Sequence, residues 1–183
     1  VETAAPRTKD RGADLFVALL QAQGVRQVMA LTGGAIMEGM DALQTAEYLD
    51  MSIFQTEPGA AWAAMGYARA TGQVGVCVVT SGPGATNTIT AIADAHRDNV
   101  PLVIITGQVP TAVRNTDAFQ ETNIVEIAAP TAKKVFYLNR VEDMPTVVSE
   151  AFRIATQGRL GPVLIDLTKD AQQASVQASA FPT

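Results

Sequence analysis

The chain has 183 residues, 48% of them hydrophobic and 17% charged, and 13 Lys/Arg against 18 Asp/Glu leave a formal net charge of −5. One domain per roughly 150 residues makes this one domain with extensions, and the apolar content excludes a disordered chain. No Lys/Arg run supplies a nucleic-acid footprint, no apolar stretch reaches the roughly 20 residues of a membrane helix, and the single Cys77 and single His96 are too few for a structural zinc site. The expectation is a protein of a reducing, cytoplasmic compartment, with no membrane or nucleic-acid partner and no metal ligands of its own.

Residues 1–9 mix Pro, Thr and charge without periodicity and are expected as a flexible N-terminal arm. From Asp10, the positions Leu15, Phe16, Leu19 and Leu20 share one helical face, which Gly24 closes. A strand over 28–31 is turned by Thr32-Gly33-Gly34 into a helix ending near residue 43. The alternation repeats as strand 51–54, helix 57–70, strand 75–80, helix 85–95 and strand 101–106. An irregular piece over 107–119 leads to a short helix over 121–127, a strand over 134–138, a helix over 141–156 and a strand over 162–166. Strands apolar on both faces, alternating with helices, predict an α/β fold of three layers: a six-stranded, mainly parallel sheet with helices on both faces. Beyond Lys169 the sequence turns small and polar, so residues 10–169 read as the domain and 170–183 as an interdomain linker.

Three glycine-bearing turns follow strands: Thr32-Gly33-Gly34, Ser81-Gly82-Pro83-Gly84 and Thr106-Gly107-Gln108. In a parallel sheet such turns gather at the carboxyl edge, where ligands bind, although glycine is also common there for steric reasons alone. None is a phosphate loop or a dinucleotide fingerprint. Asn87 and Thr86 read as caps of the helix after Gly84. Glu57 has two readings: a first-turn acid favoured by the helix dipole, or a carboxyl at the ligand edge whose burial would suit it to acid/base work. His96 reads as a solvated helix end and Cys77 as inert core. The loop over 107–120, with Gln108, Asp117, Phe119 and Gln120, reads either as an active-site segment or as plain surface.

Taken together, Gly33-Gly34-Ala35-Ile36-Met37, Glu57-x-Gly59-Ala60-Ala61, Gly66-Tyr67-Ala68-Arg69-Ala70-Thr71-Gly72, Thr80-Ser81-Gly82-Pro83-Gly84-Ala85-Thr86-Asn87, Thr106-Gly107-Gln108-Val109-Pro110, Thr116-Asp117-Ala118-Phe119-Gln120-Glu121 and Gly161-Pro162-Val163-Leu164-Ile165-Asp166 resemble the acetolactate synthase large-subunit family over residues 10–170. The resemblance implies the N-terminal pyrimidine-binding domain of a thiamine-diphosphate enzyme, with the thiamine-diphosphate-binding fold. Such an enzyme decarboxylates pyruvate and joins the two-carbon unit to a second 2-keto acid, in branched-chain amino acid biosynthesis. It also implies Mg²⁺ bound by a C-terminal domain, FAD held mostly by a middle domain, a homodimer or homotetramer, and a regulatory small subunit as a further partner. A fragment of this kind is expected to be inactive alone.

By the same resemblance Glu57 is the catalytic glutamate, which hydrogen-bonds N1′ of the cofactor's aminopyrimidine and promotes its imino tautomer. Gly33, Gly34, Pro83 and Asn87 stand beside the cofactor, and Arg159 contacts FAD. Gln120 joins Glu57 as a catalytic residue, and Gly34, Ala35, Pro110, Ala118, Phe119 and Gln120 line the substrate and inhibitor channel. The chain departs from the family pattern at Leu31-Thr32, Gln55-Thr56, Pro58 and Trp62. Related thiamine-diphosphate decarboxylases and oxidases share the domain, and a non-catalytic binding or assembly domain would keep the fold, so these stand as alternatives.

Overall fold

The computed structural model describes residues 10–182; the arm expected over 1–9 lies outside the described residues. Six strands form one sheet in the order β2-β1-β3-β4-β6-β5, and every pairing is parallel. The strands are β1 (Gln27–Ala30), β2 (Asp50–Ile53), β3 (Gly75–Val79), β4 (Leu102–Gln108), β5 (Lys134–Leu138) and β6 (Pro162–Thr168). Between them run α1 (Gly12–Ala22), α2 (Met37–Gln44), α3 (Glu57–Thr71), α4 (Pro83–Thr86), α5 (Ile89–Asp98), α6 (Ile124–Ala128), α7 (Met144–Thr156) and α8 (Lys169–Gln173).

Two apolar layers hold the helices to the sheet because side chains alternate across each strand. Val28, Val76, Val78, Val103, Ile105, Val163 and Ile165 face α1, α2 and α7, in one cluster with Phe16, Leu20, Leu43 and Phe152. Met29, Cys77, Val79, Leu102, Ile104 and Leu164 face the opposite way, against Ala61, Ala64, Met65, Ile92 and Ala95 of α3 and α5. Strands β3, β4 and β6 are buried along their whole length, as strands covered on both faces must be. The expected three-layer α/β architecture is therefore the observed one.

Three elements differ from the sequence reading for identifiable reasons. The helix expected over 85–95 is broken into α4 and α5, because Asn87 turns its side chain out to Glu57 and the Thr88 hydroxyl donates to the Ala85 carbonyl at 2.7 Å. The short helix starts at Ile124 rather than at Glu121, whose carboxylate folds back onto the preceding loop. The segment expected as a linker begins inside the fold: α8 buries Ala171 and Gln172, the Gly12 N–H donates to the Ala174 carbonyl at 2.8 Å, and Ser175 pairs antiparallel with Arg11. A Cβ on Gly12 would lie 1.9 Å from the Ala171 carbonyl oxygen, so this seam depends on glycine at the start of α1.

Candidate active site

The strand order places a crevice at one edge of the sheet. From β1 the chain crosses to β2 on one side, and from there it returns to β3 on the other side of β1. The turns leaving neighbouring β1 and β3 therefore diverge at their carboxyl ends, the arrangement that opens a ligand crevice in such sheets. Thr80, at the end of β3, joins the two turns. Its hydroxyl accepts from the Ala35 N–H at 3.4 Å, and a Cβ on Gly33 or Gly84 would lie 2.5 Å or 2.7 Å from its side chain. Both glycines are needed for the turns to approach each other.

Glu57 enters the crevice from the neighbouring strand, as the first residue of α3. Thr56 fixes the start of that helix: its hydroxyl accepts from the Gly59 N–H at 3.2 Å, Pro58 occupies the first turn without needing a donor, and Gly72 ends the helix in the left-handed region at φ 73°. Asn87 Nδ2 donates to Glu57 Oε2 at 3.1 Å. Oε1 lies 3.5 Å from where a Cβ on Gly84 would stand and accepts no hydrogen bond among the described residues. Glu57 is half-buried, because it stands at the open first turn of α3, ahead of the fully buried Ala60, Ala61 and Ala64 that share its helical face. The Asn87 side chain is thus a partner of the carboxylate, while its backbone occupies the C-cap of α4; the residue at the N-cap of α4 is Gly82, and Thr86 donates to the Pro83 carbonyl.

The loop after β4 forms the third wall. Asn115, Asp117 and Gln120 all have positive φ, of 64°, 57° and 60°, a conformation that non-glycine residues adopt at some cost. The Glu121 carboxylate offsets it by accepting from the N–H groups of Asn115, Thr116 and Ala118, the latter two at 3.3 Å. The Asn115 N–H first, then those of Thr116 and Ala118 and the charge of Arg114, hold this carboxyl below its usual range. The Gln120 backbone rests on Gly82, where a Cβ would lie 2.6 Å from the Gln120 carbonyl oxygen. Phe119 projects into solvent, 87% exposed. Gly34, Ala35, Pro110, Ala118 and Gln120 follow β1 and β4 at the same edge, while the residues placed directly against the Glu57 carboxylate are Gly84 and Asn87.

Arg159 does not join them. It precedes β6 at the opposite, amino edge of the sheet, where its guanidinium donates to the His96 carbonyl at 3.1 Å and to the Asn99 side chain. His96 itself is tied to the Thr131 carbonyl at 2.8 Å, and Cys77 is a buried free thiol whose pKa is pushed up by burial and by the charge of Glu57. Among the described residues no three His, Cys, Asp or Glu side chains group to hold a metal, and no helix is long and apolar enough to cross a membrane.

Residues to which the sequence assigned no role also shape the site. Lys169 Nζ donates to the Gly34 carbonyl at 3.2 Å and lies 3.9 Å from Glu38, placing a cation on the first glycine turn. Gln172, fully buried, donates to the Ala35 carbonyl at 2.8 Å and accepts from the Gly39 N–H at 3.2 Å, which fixes the turn from behind. Asp166, on β6, is buried and accepts from Thr106 Oγ1 at 2.9 Å and Gln108 Nε2 at 3.0 Å. Burial pushes its carboxyl up to about 6 despite those bonds.

A carboxyl raised in the fold binds its proton more tightly folded than unfolded. Its contribution is therefore fully present below the unfolded pKa near 4 and is lost as pH rises through about 6. Relative to Asp166→Asn, the chain is expected to gain on the order of 2–3 kcal/mol in urea unfolding between pH 7 and pH 4. A gap between the two proteins that did not change with pH would contradict this.

The sequence pattern described as "Thiamine pyrophosphate enzyme, N-terminal TPP binding domain" matches residues 10–127, which contain all three walls of the crevice. The chain is 52% identical over 168 residues to acetolactate synthase 1, chloroplastic, of Oryza sativa subsp. japonica, covering 92% of this chain and 26% of that protein. It is 51% identical over 168 residues to acetolactate synthase 1, chloroplastic, of Zea mays, covering 92% and 26%. With acetolactate synthase, chloroplastic, of Arabidopsis thaliana the identity is 49% over 169 residues, covering 92% and 25%. The chain thus spans about a quarter of the length of these curated relatives. A parallel sheet with its crevice at the β1/β3 carboxyl ends, a carboxylate at that crevice and a matching pattern across the same residues lead to one conclusion: the chain belongs to the thiamine pyrophosphate enzyme family, as an N-terminal TPP binding domain.

Proposed function

We propose that this chain is the pyrimidine-binding domain of an acetolactate synthase, which releases CO₂ from pyruvate and joins the remaining two-carbon unit to a second 2-keto acid. The observation that carries the reading is the Glu57 carboxylate, held through Oε2 by Asn87 and open through Oε1 toward the glycine turns. The site fits an aminopyrimidine: Oε1 is an acceptor with no partner among the described residues, and the space where a Cβ of Gly34 would stand is clear to 4 Å. Bound thiamine diphosphate would supply the acidic ring carbon and the electron sink for decarboxylation.

The chain's own residues do simpler work. With the cofactor bound, Glu57 would share a proton with the pyrimidine ring nitrogen N1′, and Asn87, which donates to Oε2, would orient the carboxylate for that exchange. Gly33, Gly34 and Pro83 let the ring approach the backbone, Ala35, Pro110, Ala118 and Phe119 shape the keto-acid channel, and Gln120 offers a polar contact to the reacting acid. Anchoring of the diphosphate through Mg²⁺ falls to parts of the polypeptide outside this chain. FAD belongs to the same reading, with Arg159 reaching it from the amino edge.

The half-open mouth supports completion of the site by a second subunit, in a homodimer or homotetramer, since Met37, Ile53 and Phe119 stand exposed around it. A regulatory small subunit and a cytoplasmic setting complete the proposal, the latter supported by a single, unpaired and buried cysteine. The test is pyruvate turnover by the full-length gene product with thiamine diphosphate, Mg²⁺ and FAD, assayed for 2-acetolactate. Acetolactate supports the reading; acetaldehyde or an oxidised product from a folded protein would replace it with a decarboxylase or oxidase.

A further inference from the structure

We infer that Asp166, acting through the Gln108 side chain, is the positioning residue of the loop that carries Phe119 and Gln120. The inference rests on the proposed reading of the site, and it concerns a buried acid that the proposed chemistry does not use.

Gln108 is the last residue of β4, and its side chain lies beneath the loop it introduces. Its Nε2 donates to the Thr122 carbonyl at 2.9 Å and to Asp166 Oδ2 at 3.0 Å, while its Oε1 accepts from the Val109 N–H at 2.9 Å. One amide therefore holds the first residue of the loop and its far end together, closing residues 109–122 at the base. The amide has one workable orientation. Turned over, its oxygen would face two acceptors and its NH₂ group a donor, so all three bonds would be lost at once. Asp166 selects that orientation: Thr106 Oγ1 fixes one carboxylate oxygen and the other points at Nε2.

Packing alone gives no reason for this acid. It stands fully buried in the middle of β6, neither of its two hydrogen-bond donors carries a charge, and the charge of Arg114 offsets only part of the desolvation that an apolar side chain would avoid. The loop, by contrast, needs a clamp. Three of its residues hold left-handed backbone and Phe119 is exposed; apart from the clamp, the loop is tied at Arg114, which stacks 3.8 Å over the Tyr137 ring and donates to Asn123 at 3.4 Å. Glu121 shapes the tip from within; the Asp166–Gln108 pair fixes where that shaped tip stands relative to Glu57. Freed at its base, the loop would keep its local turn and lose its distance to the crevice.

The experiment uses the full-length enzyme carrying Asp166→Asn, Gln108→Met or both. Asparagine leaves one oxygen for the two donors that Asp166 accepts from, Thr106 Oγ1 and Gln108 Nε2, and methionine keeps the volume of glutamine without its bonds. Each single variant is expected to lower kcat/KM for pyruvate by about ten- to a hundredfold, the effect of a displaced active-site wall. Half-saturation by thiamine diphosphate should stay within about twofold, because Glu57, Asn87 and the Gly33-Gly34 turn are not altered. The double variant should be no worse than the poorer single one, since both changes open the same clamp.

A second readout does not need activity. Arg114 lies in the loop, and trypsin cleavage after it, followed by mass spectrometry, should be at least about tenfold faster in the folded variants. Should Asp166→Asn not fold, Gln108→Met carries the test alone. Unchanged cleavage at Arg114 in a folded variant, or losses in kcat/KM that simply multiply in the double variant, would overturn the inference. An unmodified enzyme that made no acetolactate would remove the proposed reaction, while the cleavage rates would still decide the clamp.

Discussion

Glu57→Gln in the full-length enzyme is expected to lower acetolactate formation by about 10²- to 10⁴-fold, the range of a positioned general acid or base. Glutamine keeps the length and the volume of the side chain. Its amide oxygen can still accept from Asn87 Nδ2, as Glu57 Oε2 does now at 3.1 Å. Its NH₂ group would then occupy the position of Oε1, 3.5 Å from the Gly84 Cβ site, and would present donors where the carboxylate presents an acceptor. The fold should be indifferent to the change. Thr56 and Pro58 set the first turn of α3 without the Glu57 side chain, and the carboxylate is half-buried, so thermal unfolding is expected to shift by less than about 1 kcal/mol. Steady-state turnover and a melting curve on the same preparation separate the two effects. A folded Glu57→Gln enzyme retaining more than about a tenth of the activity would mean that another group handles the proton at this edge.

The parts of the fold that were legible in the sequence are those where one physical signal dominates. Val76 to Val79 and Leu102 to Ile105 are apolar in unbroken runs, and only strands covered on both sides read that way. The 15 residues of α3 match the helix expected over 57–70 to within one residue, with Thr56, Pro58 and Gly72 fixing its ends in the fold. Order along the sheet followed less directly, since nothing local says that β6 inserts between β4 and β5. The site divides along the same line. Glu57 and the glycine turns announce themselves by position after strands. Gln172 does not: it lies in a run of small polar residues that reads as linker, and only the docking of α8 against the first glycine turn makes its amide a buried clamp. Asp166 was hidden for the opposite reason, as one acid closing an apolar strand, whose burial depends on Thr106 and Gln108 reaching it from β4. Asn87 caps α4 at its C-terminal end through its backbone, but that its side chain faces Glu57 was not legible, because a side chain facing its own helix and one facing Glu57 look alike in sequence. Local chemistry identifies what a residue can do; the crossovers decide which partner it meets.

Gly107→Ala is expected to destabilise the chain by about 3 kcal/mol or more, where a typical overpacked site loses 1–3 kcal/mol. Gly107 lies inside β4, opposite Leu167 of β6, and the turn after β1 crosses directly over it. A Cβ there would stand 2.6 Å from the Ala35 carbonyl oxygen, 2.7 Å from its carbon and 3.0 Å from the Ile36 nitrogen. All three are backbone atoms, so no side chain can rotate aside. Either the strand leaves its register with β6 or the turn lifts. The turn cannot lift freely, because the Ala35 carbonyl also accepts from Gln172 at 2.8 Å and the Ala35 N–H donates to Thr80. The damage therefore reaches Gly34 and Ala35, and activity in the full-length enzyme should fall about a hundredfold, as for a wall displaced by roughly 1 Å. Gly66→Ala is the matched control. It adds the same methyl group within α3, where a Cβ would meet nothing within 4 Å, and a helix interior favours alanine over glycine by about 0.5–1 kcal/mol. Urea unfolding of the two variants should move in opposite directions, Gly107→Ala to a lower midpoint and Gly66→Ala to a slightly higher one. Equal midpoints would mean that the β1 turn yields more easily than its two anchors imply, and that the crevice is a softer construction than the close approach of Ala35 to β4 indicates.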